Sequence, residues 1–275
     1  MQKNSKNRVK LSIITINFNN FNGLDKTIKS VVSQNSNDFE YIIIDGGSTD
    51  GSAEVIKQYE SQIAYWVSEH DRGIYHAMNK GVSKANGEYC IFMNSGDCLY
   101  DSSVVSRFVE ANFVEDIIVG KVFANTDMGQ LSLPPVREIS MYHLYSGAIP
   151  HQGAFIRRKL LQDTPYDESL RISSDWKFFL QTIIFKNCSF KYIEDNIAIY
   201  DTSGLSFSNP EPMRREKEQV MRDLLPPRIL ADYEWMKASE CLTSTLAPQL
   251  RRKYKIDKFL YRIGHILLNL SKSKC

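Results

Sequence analysis

Net charge, cysteine and long apolar runs are all scarce in this chain, and each shortage closes a class of function. Its 34 Lys and Arg stand against 32 Asp and Glu, a formal charge of +2, so no global field points to nucleic acid as a partner. The five cysteines, at 90, 98, 188, 241 and 275, have no metal-ligand spacing, and neither a zinc site nor a disulfide scaffold is expected. No apolar stretch reaches the roughly 18 residues that a membrane-spanning helix needs. Residues 1–10 are polar and basic and lead straight into an apolar strand; with no apolar leader there, the expected location is cytoplasmic. No Gly-x-Gly-x-x-Gly follows the first strand, and no Gly-x-x-x-x-Gly-Lys-Ser/Thr occurs. A dinucleotide oxidoreductase and a P-loop phosphotransferase are both disfavoured.

What the chain does have is alternation. Of its 275 residues 43% are hydrophobic, enough for one large α/β domain and an appendage. The first half reads as strand, loop, helix, repeated. Strands are predicted over Val9 to Thr15, Phe39 to Ile44, Ile63 to Val67 and Tyr89 to Met93; helices over Leu24 to Gln34, Ser52 to Tyr59 and Gly73 to Ala85. Such alternation implies a mainly parallel sheet with right-handed crossovers. Ile117 to Phe123 continues the sheet, a helix is expected over Asp175 to Ile184 and a strand over Phe190 to Tyr200. After Asn209-Pro210 the texture becomes charged and helix-favouring, and 210–275 reads as a helical extension whose last part is basic and amphipathic.

Polar residues collect where the predicted strands end. Asp45, closing the second strand in Asp45-Gly-Gly-Ser-Thr-Asp50, can accept from a base N–H or a ribose hydroxyl, or the loop is a plain turn with Asp50 as a helix cap. Thr15 and Asn17, at the exit of the first strand, are candidates for the facing wall of a base pocket. Asp71 and Arg72 form a charge pair ahead of a helix, and Asp97 is a lone carboxylate in the turn Asn94-Ser-Gly-Asp97 after a buried strand. Ligands in α/β proteins bind at the carboxyl ends of strands.

In that order, these motifs resemble a family 2 glycosyltransferase of the GT-A fold over roughly residues 9–205. The resemblance implies a GT-A domain over 1–209, with a donor half at about 9–123 and an acceptor half at about 124–209. Asp45 and Asp71 then face the nucleotide and Arg72 the diphosphate. Asn79 is either a ligand or a packing residue. Asn94 orients a ribose or a metal-bound water, and Asp97 binds Mn2+ or Mg2+. This turn is less acidic than the family's usual Asp-x-Asp, leaving one carboxylate for the metal. In Ser174-Asp175-Trp176, Asp175 corresponds to the family's general base, with favourable placement at a helix start as the plainer account. Trp176 packs beside the sugar or base, and His151 in Pro150-His-Gln152 contacts the acceptor or a phosphate, or is structural. Gly204-Leu-Ser206 is a candidate lid.

The implied activity is inverting transfer from a nucleotide-diphospho-sugar, UDP-sugars first, to a glycan or lipid-linked glycan in cell-surface polysaccharide synthesis. Two alternatives stay open: an inert nucleotide-sugar-binding protein, and a sugar nucleotidyltransferase, which the absence of Lys and Arg from Asn17 to Gly23 disfavours. An apolar face beside basic residues over 251–274 suggests either peripheral binding to an anionic membrane on its cytoplasmic side or packing of that face on the preceding domain or another subunit with the basic residues solvated.

Overall fold

The structure, a computed structural model, describes residues 9–126, 129–202 and 210–254. The candidate lid at 204–206 and nearly all of the basic segment at 251–274 lie outside the described residues. The chain divides into two units, one ending at Val220 and one starting at Met221.

The first unit is built on strands β1 (Leu11–Asn17), β2 (Phe39–Asp45), β3 (Tyr65–Ser68) and β4 (Tyr89–Phe92), separated by helices α1 (Phe21–Val32), α2 (Ser52–Gln58) and α3 (Ile74–Lys84). Every residue of β1 is buried, as expected for a central parallel strand covered on both faces. On one face Leu11, Ile13, Tyr41, Ile43, Tyr89 and Ile91 join Leu24, Ile28 and Val31 of α1 in the main core. The alternation of the sequence thus yields the parallel order β3-β2-β1-β4.

Past β4 the sheet becomes mixed. It continues through β5 (Cys98–Leu99), α4 (Val104–Ala111), β6 (Ile117–Thr126), β7 (Gly129–Ser132), α5 (Met141–Ser146), β8 (Ala154–Arg157), α6 (Arg158–Asp163), α7 (Ser174–Phe179) and β9 (Phe190–Asp201). The full order is β3-β2-β1-β4-β8-β6-β9-β5, with β7 pairing β6. β8 runs antiparallel between β4 and β6, whereas β6 and β9 are parallel. The predicted helix from Asp175 is α7, which passes into a π-helical turn at Leu180–Phe185.

Helix α8 (Pro210–Leu224) begins the predicted extension, and α9 (Pro227–Tyr254) follows in the second unit. The first part of α8 is tied to the rest of the first unit. The Glu216 carboxylate accepts from the backbone N–H groups of Arg171, Ile172 and Ser173 at 2.8, 3.0 and 3.0 Å, and Lys217 donates to Gly147 O at 3.1 Å. Among the described residues no helix is long and apolar enough to cross a membrane.

Candidate active site

Strand register explains the first cluster. Asn17 pairs with Asp45, and Asp45 with Ser68, so three polar residues share one row at the carboxyl edge of the sheet. Asp45 is fully buried and both of its oxygens are occupied. Oδ1 accepts from Asn17 Nδ2 at 2.7 Å and Ser48 Oγ at 2.5 Å, while Oδ2 accepts from Ser48 N at 2.9 Å and Ser68 Oγ at 2.5 Å. Burial alone would raise its pKa, but these donors outweigh it and hold the carboxyl below its ordinary value. Asp45 thereby ties the ends of three strands together. Thr15, earlier on β1, is inaccessible and its hydroxyl pairs with Tyr41 Oη at 3.0 Å. Asp50 stands one residue before the α2 N-cap, Gly51, and accepts from Ser52 N at 3.1 Å and, on its other oxygen, from Phe21 N at 2.8 Å at the start of α1.

Asp71 and Arg72 do not pair with each other. Asp71 Oδ1 accepts from Lys80 at 2.5 Å and pairs with His76 Nδ1 at 2.9 Å. Its Oδ2 is buried with no partner among the described residues and lies beside Gly46, where a Cβ would sit 3.6 Å from it and 3.2 Å from the Phe18 ring. Phe18 is 65% exposed. Gly46 thus leaves a cradle between an aromatic edge and a waiting carboxylate oxygen, a fit for the flat edge of a base with an N–H to donate. Arg72 is 70% exposed and held by Glu168 at 2.6 Å. Asn79 is not open to a nucleotide: its amide pairs with the backbone of Tyr166 in both directions, at 2.9 and 3.0 Å, and also donates to Glu168. Trp176 lies inside the fold. Only 3% exposed, it donates to Leu144 O at 2.7 Å and carries Lys217 over its ring, which makes it core.

A second cluster forms where β4 ends, opposite the start of α7. His151 lies in a 3-10 turn, His151–Gly153, between Asp175 and the Asn94–Asp97 turn. Its Nδ1 is 2.8 Å from Asp175 Oδ2 and its Nε2 is 3.2 Å from the Asn94 amide. Asp175 Oδ1 accepts from Tyr75 Oη at 3.0 Å. Burial would lower the His151 pKa, but the hydrogen bond and charge of Asp175, with the charge of Asp97, hold it above the ordinary value. For Asp175 burial acts upward, and the bonds from His151, Trp176 N and Tyr75 prevail and lower it. The Asn94 atom nearest His151 Nε2 is Nδ2, and its Oδ1 is buried with no partner among the described residues.

Asp97 is 4% exposed. Its Oδ1 accepts from Asp201 N at 2.9 Å, and burial, the largest influence on it, pushes its carboxyl up to about 6. Asp201 also brings its side chain close, with Oδ2 2.6 Å from where a Gly96 Cβ would be. Among the described residues no group of three or more His, Cys, Asp and Glu converges on a metal position. The two adjacent carboxylates are nonetheless the hard oxygen donors that Mg2+ or Mn2+ takes, with substrate phosphates and water completing the set.

Tyr75, Asp201, Phe18 and Glu216 are the contributors that sequence reasoning did not single out. For Tyr75 the signal was present, since it stands inside the Asp71-Arg-Gly-Ile-Tyr75 run. Asp201 and Glu216 act across 104 and 43 to 45 residues, beyond any local pattern.

A family model described as Glycosyl transferase family 2 matches residues 12–176. A glycosyltransferase of Mycobacterium tuberculosis (strain ATCC 25618 / H37Rv) is 32% identical over 215 residues, covering 74% of this chain and 78% of its own. Among solved structures, S. aureus TarS 1-349 in complex with UDP-GlcNAc aligns with TM-score 0.62 and 18% identity over 78% of this chain and 64% of that one. The mannosyltransferase PcManGT from Pyrobaculum calidifontis, in complex with GDP-Man and Mn2+, aligns with TM-score 0.60 and 15% identity over 94% and 80%. At these identities the two structures speak to the fold alone. The chain spans less than two thirds of the TarS chain.

Proposed function

The chain belongs to glycosyl transferase family 2, and on that premise we propose that it transfers a sugar, with inversion, from a nucleotide-diphospho-sugar to a hydroxyl of a glycan or lipid-linked glycan. A UDP-sugar is the first choice of donor. The observation that carries this reading is where unsatisfied polar atoms collect. Five buried side-chain polar atoms lack a partner among the described residues; three belong to Asn17, Asp71 and Asn94, and a fourth is the Tyr166 hydroxyl near Asp175. Buried polar groups in native proteins are nearly always hydrogen-bonded, so such a concentration at one sheet edge suits a polar ligand.

In this mechanism Asp71 Oδ2 accepts from the base and Phe18 flanks it. Arg72, released from Glu168, neutralises diphosphate charge. The acceptor hydroxyl gives its proton to Asp175 as it attacks the anomeric carbon from the face opposite the departing nucleotide. His151, in hydrogen-bond contact with Asp175, stands beside the base and, when protonated, is a donor toward developing negative charge. Asp97, with Asp201 beside it, would hold a divalent cation, whose chemistry is to stabilise charge on the departing diphosphate. The TarS complex with UDP-GlcNAc and the PcManGT complex with Mn2+ support a nucleotide-sugar and a metal.

Thermal shift against UDP-, GDP- and dTDP-sugars, with and without Mn2+, tests the reading. UDP-sugar with Mn2+ should raise Tm by several degrees at saturating concentrations, and slow release of UDP should accompany it. Stabilisation without transfer or hydrolysis would favour the inert binding protein; no response to any nucleotide would remove the donor site.

The basic segment 251–274 is proposed to rest on anionic lipid at the cytoplasmic face, each Lys or Arg there contributing on the order of 1 kcal/mol. The full chain should float with phosphatidylserine vesicles at low salt, and a chain truncated after Pro248 should not. Equal flotation of the two, or none by either, ends the membrane proposal.

A further inference from the structure

Asp175 is held from both sides, and one of the two holders has no role in the reaction as described so far. Tyr75 is the second residue of α3, four positions after Asp71, and its side chain is buried. Its hydroxyl donates to Asp175 Oδ1 at 3.0 Å across 100 residues of chain, linking the helix that follows the nucleotide loop to the helix that carries the base. The ring is fixed by Tyr166, centroid to centroid 5.6 Å. Burial, then the charge of Asp175, raise the Tyr75 pKa well above its ordinary value, so the phenol stays a donor throughout the working range. The second oxygen of Asp175 is taken by His151. A carboxylate clamped at both oxygens cannot rotate about its own axis without breaking one bond, and the lone pairs left over have fixed directions.

We propose that Tyr75 is a positioning residue for the transfer step, fixing through Asp175 Oδ1 which lone pairs of the base meet the acceptor hydroxyl. The proton of the acceptor O–H passes to Asp175 while the acceptor oxygen forms its bond to the anomeric carbon. The bond from that carbon to the diphosphate oxygen breaks, and its electron pair leaves with the nucleoside diphosphate. Tyr75 neither gains nor loses a proton. Because the hydrogen bond favours the ionised carboxylate, its removal also makes Asp175 easier to protonate. The charged and titratable groups facing Asp175 are Tyr75 from α3, His151 from the 3-10 turn and Tyr166 from the loop ahead of α7, with Asp97 acting through His151.

This inference rests on Asp175 being the base, and the test separates the two. Tyr75→Phe keeps the ring and removes only the donor. It should lower kcat by about tenfold, leave donor Kd within about twofold, and move the acidic limb of the kcat/KM profile upward by roughly one pH unit. In an Asp175→Asn background the same change should alter kcat by less than about twofold, because the two substitutions act through one group. A Tyr75→Phe enzyme with unchanged kcat and limb, beside an inactive Asp175→Asn enzyme, overturns the role of Tyr75 alone. A full tenfold effect in the Asp175→Asn background does the same, showing that Tyr75 acts elsewhere. An active Asp175→Asn enzyme overturns the base and this inference together. Should Tyr75→Phe lower Tm sharply, the pH limb still decides, since loss of folded enzyme scales the profile without moving it.

Discussion

Replacing Asp175 with Asn should reduce turnover by about a hundredfold or more, the usual scale for loss of a general base, while nucleotide-sugar binding persists. The substitution conserves shape. Asn Oδ1 can still accept from Tyr75, and the amide can donate to His151 Nδ1 once that nitrogen is unprotonated. What disappears is the capacity to take the acceptor's proton. The carboxyl of Asp175 lies below the ordinary carboxylate range, because His151 and the other donors outweigh burial. The base is therefore ionised at neutral pH, and the acidic limb of the wild-type profile should stand low. Loss of that carboxylate also removes the main influence holding His151 above its ordinary pKa, so His151 in the variant should titrate at lower pH than in the wild type, as NMR of its ring protons would show. Near-normal turnover would mean another base, and His151 is the next candidate. The donor pocket proposed at Asp71 and Gly46 is built from other residues, so a collapse of donor affinity in the same variant would contradict the division of labour proposed for the two clusters.

The residues that the sequence and the structure agree on differ in kind from those on which they part. The strand-helix alternation of the donor half is legible because each strand is a short apolar run bounded by polar loops. Even there β1 continues to Asn17, two residues past the predicted end, and α1 begins earlier, at Phe21, because Asn20 caps it by accepting from Gly23 N at 3.1 Å. β8 was not legible: four residues, Ala154–Arg157, gain their place only by antiparallel pairing with β4 and β6. The site divides in the same way. Asn94, His151 and Asp175 meet along one hydrogen-bonded line, and Asp97 is coupled to His151 through charge. Asp45, Asn79 and Trp176 have the residue types of ligands, yet their polar atoms are claimed by neighbours 3, 87 and 32 residues away in sequence. Residue type announces hydrogen-bonding capacity; only the register and the long-range contacts decide who uses it.

Asp97 makes the sharpest case, because its environment is unfavourable to the very charge its proposed role requires. Asp97→Ala should abolish transfer and the Mn2+-dependent part of UDP affinity, measured by calorimetry with and without the metal, while the nucleotide contacts at Asp71 remain. Unchanged metal-dependent affinity would remove Asp97 from the site. The metal-free protein offers an independent check. Burial raises the Asp97 carboxyl from 3.8 to about 6, so the folded state binds this proton more tightly than the unfolded state does. Its contribution to stability is fully present below the unfolded value near 4 and is lost as pH rises through about 6. Above pH 7 the ionised group then costs on the order of 3 kcal/mol, at 1.36 kcal/mol per unit. Asp97→Asn, which cannot ionise but can still accept from Asp201 N, should therefore be more stable than the wild type at pH 8 without metal. The difference should shrink toward zero below pH 4. Saturating UDP and Mn2+ should reverse the order, since only the wild type gains the cation. If the two proteins keep the same Tm at pH 8 with and without UDP and Mn2+, Asp97 is neither a destabilising buried charge nor a metal ligand, and the single-carboxylate reading of this turn fails.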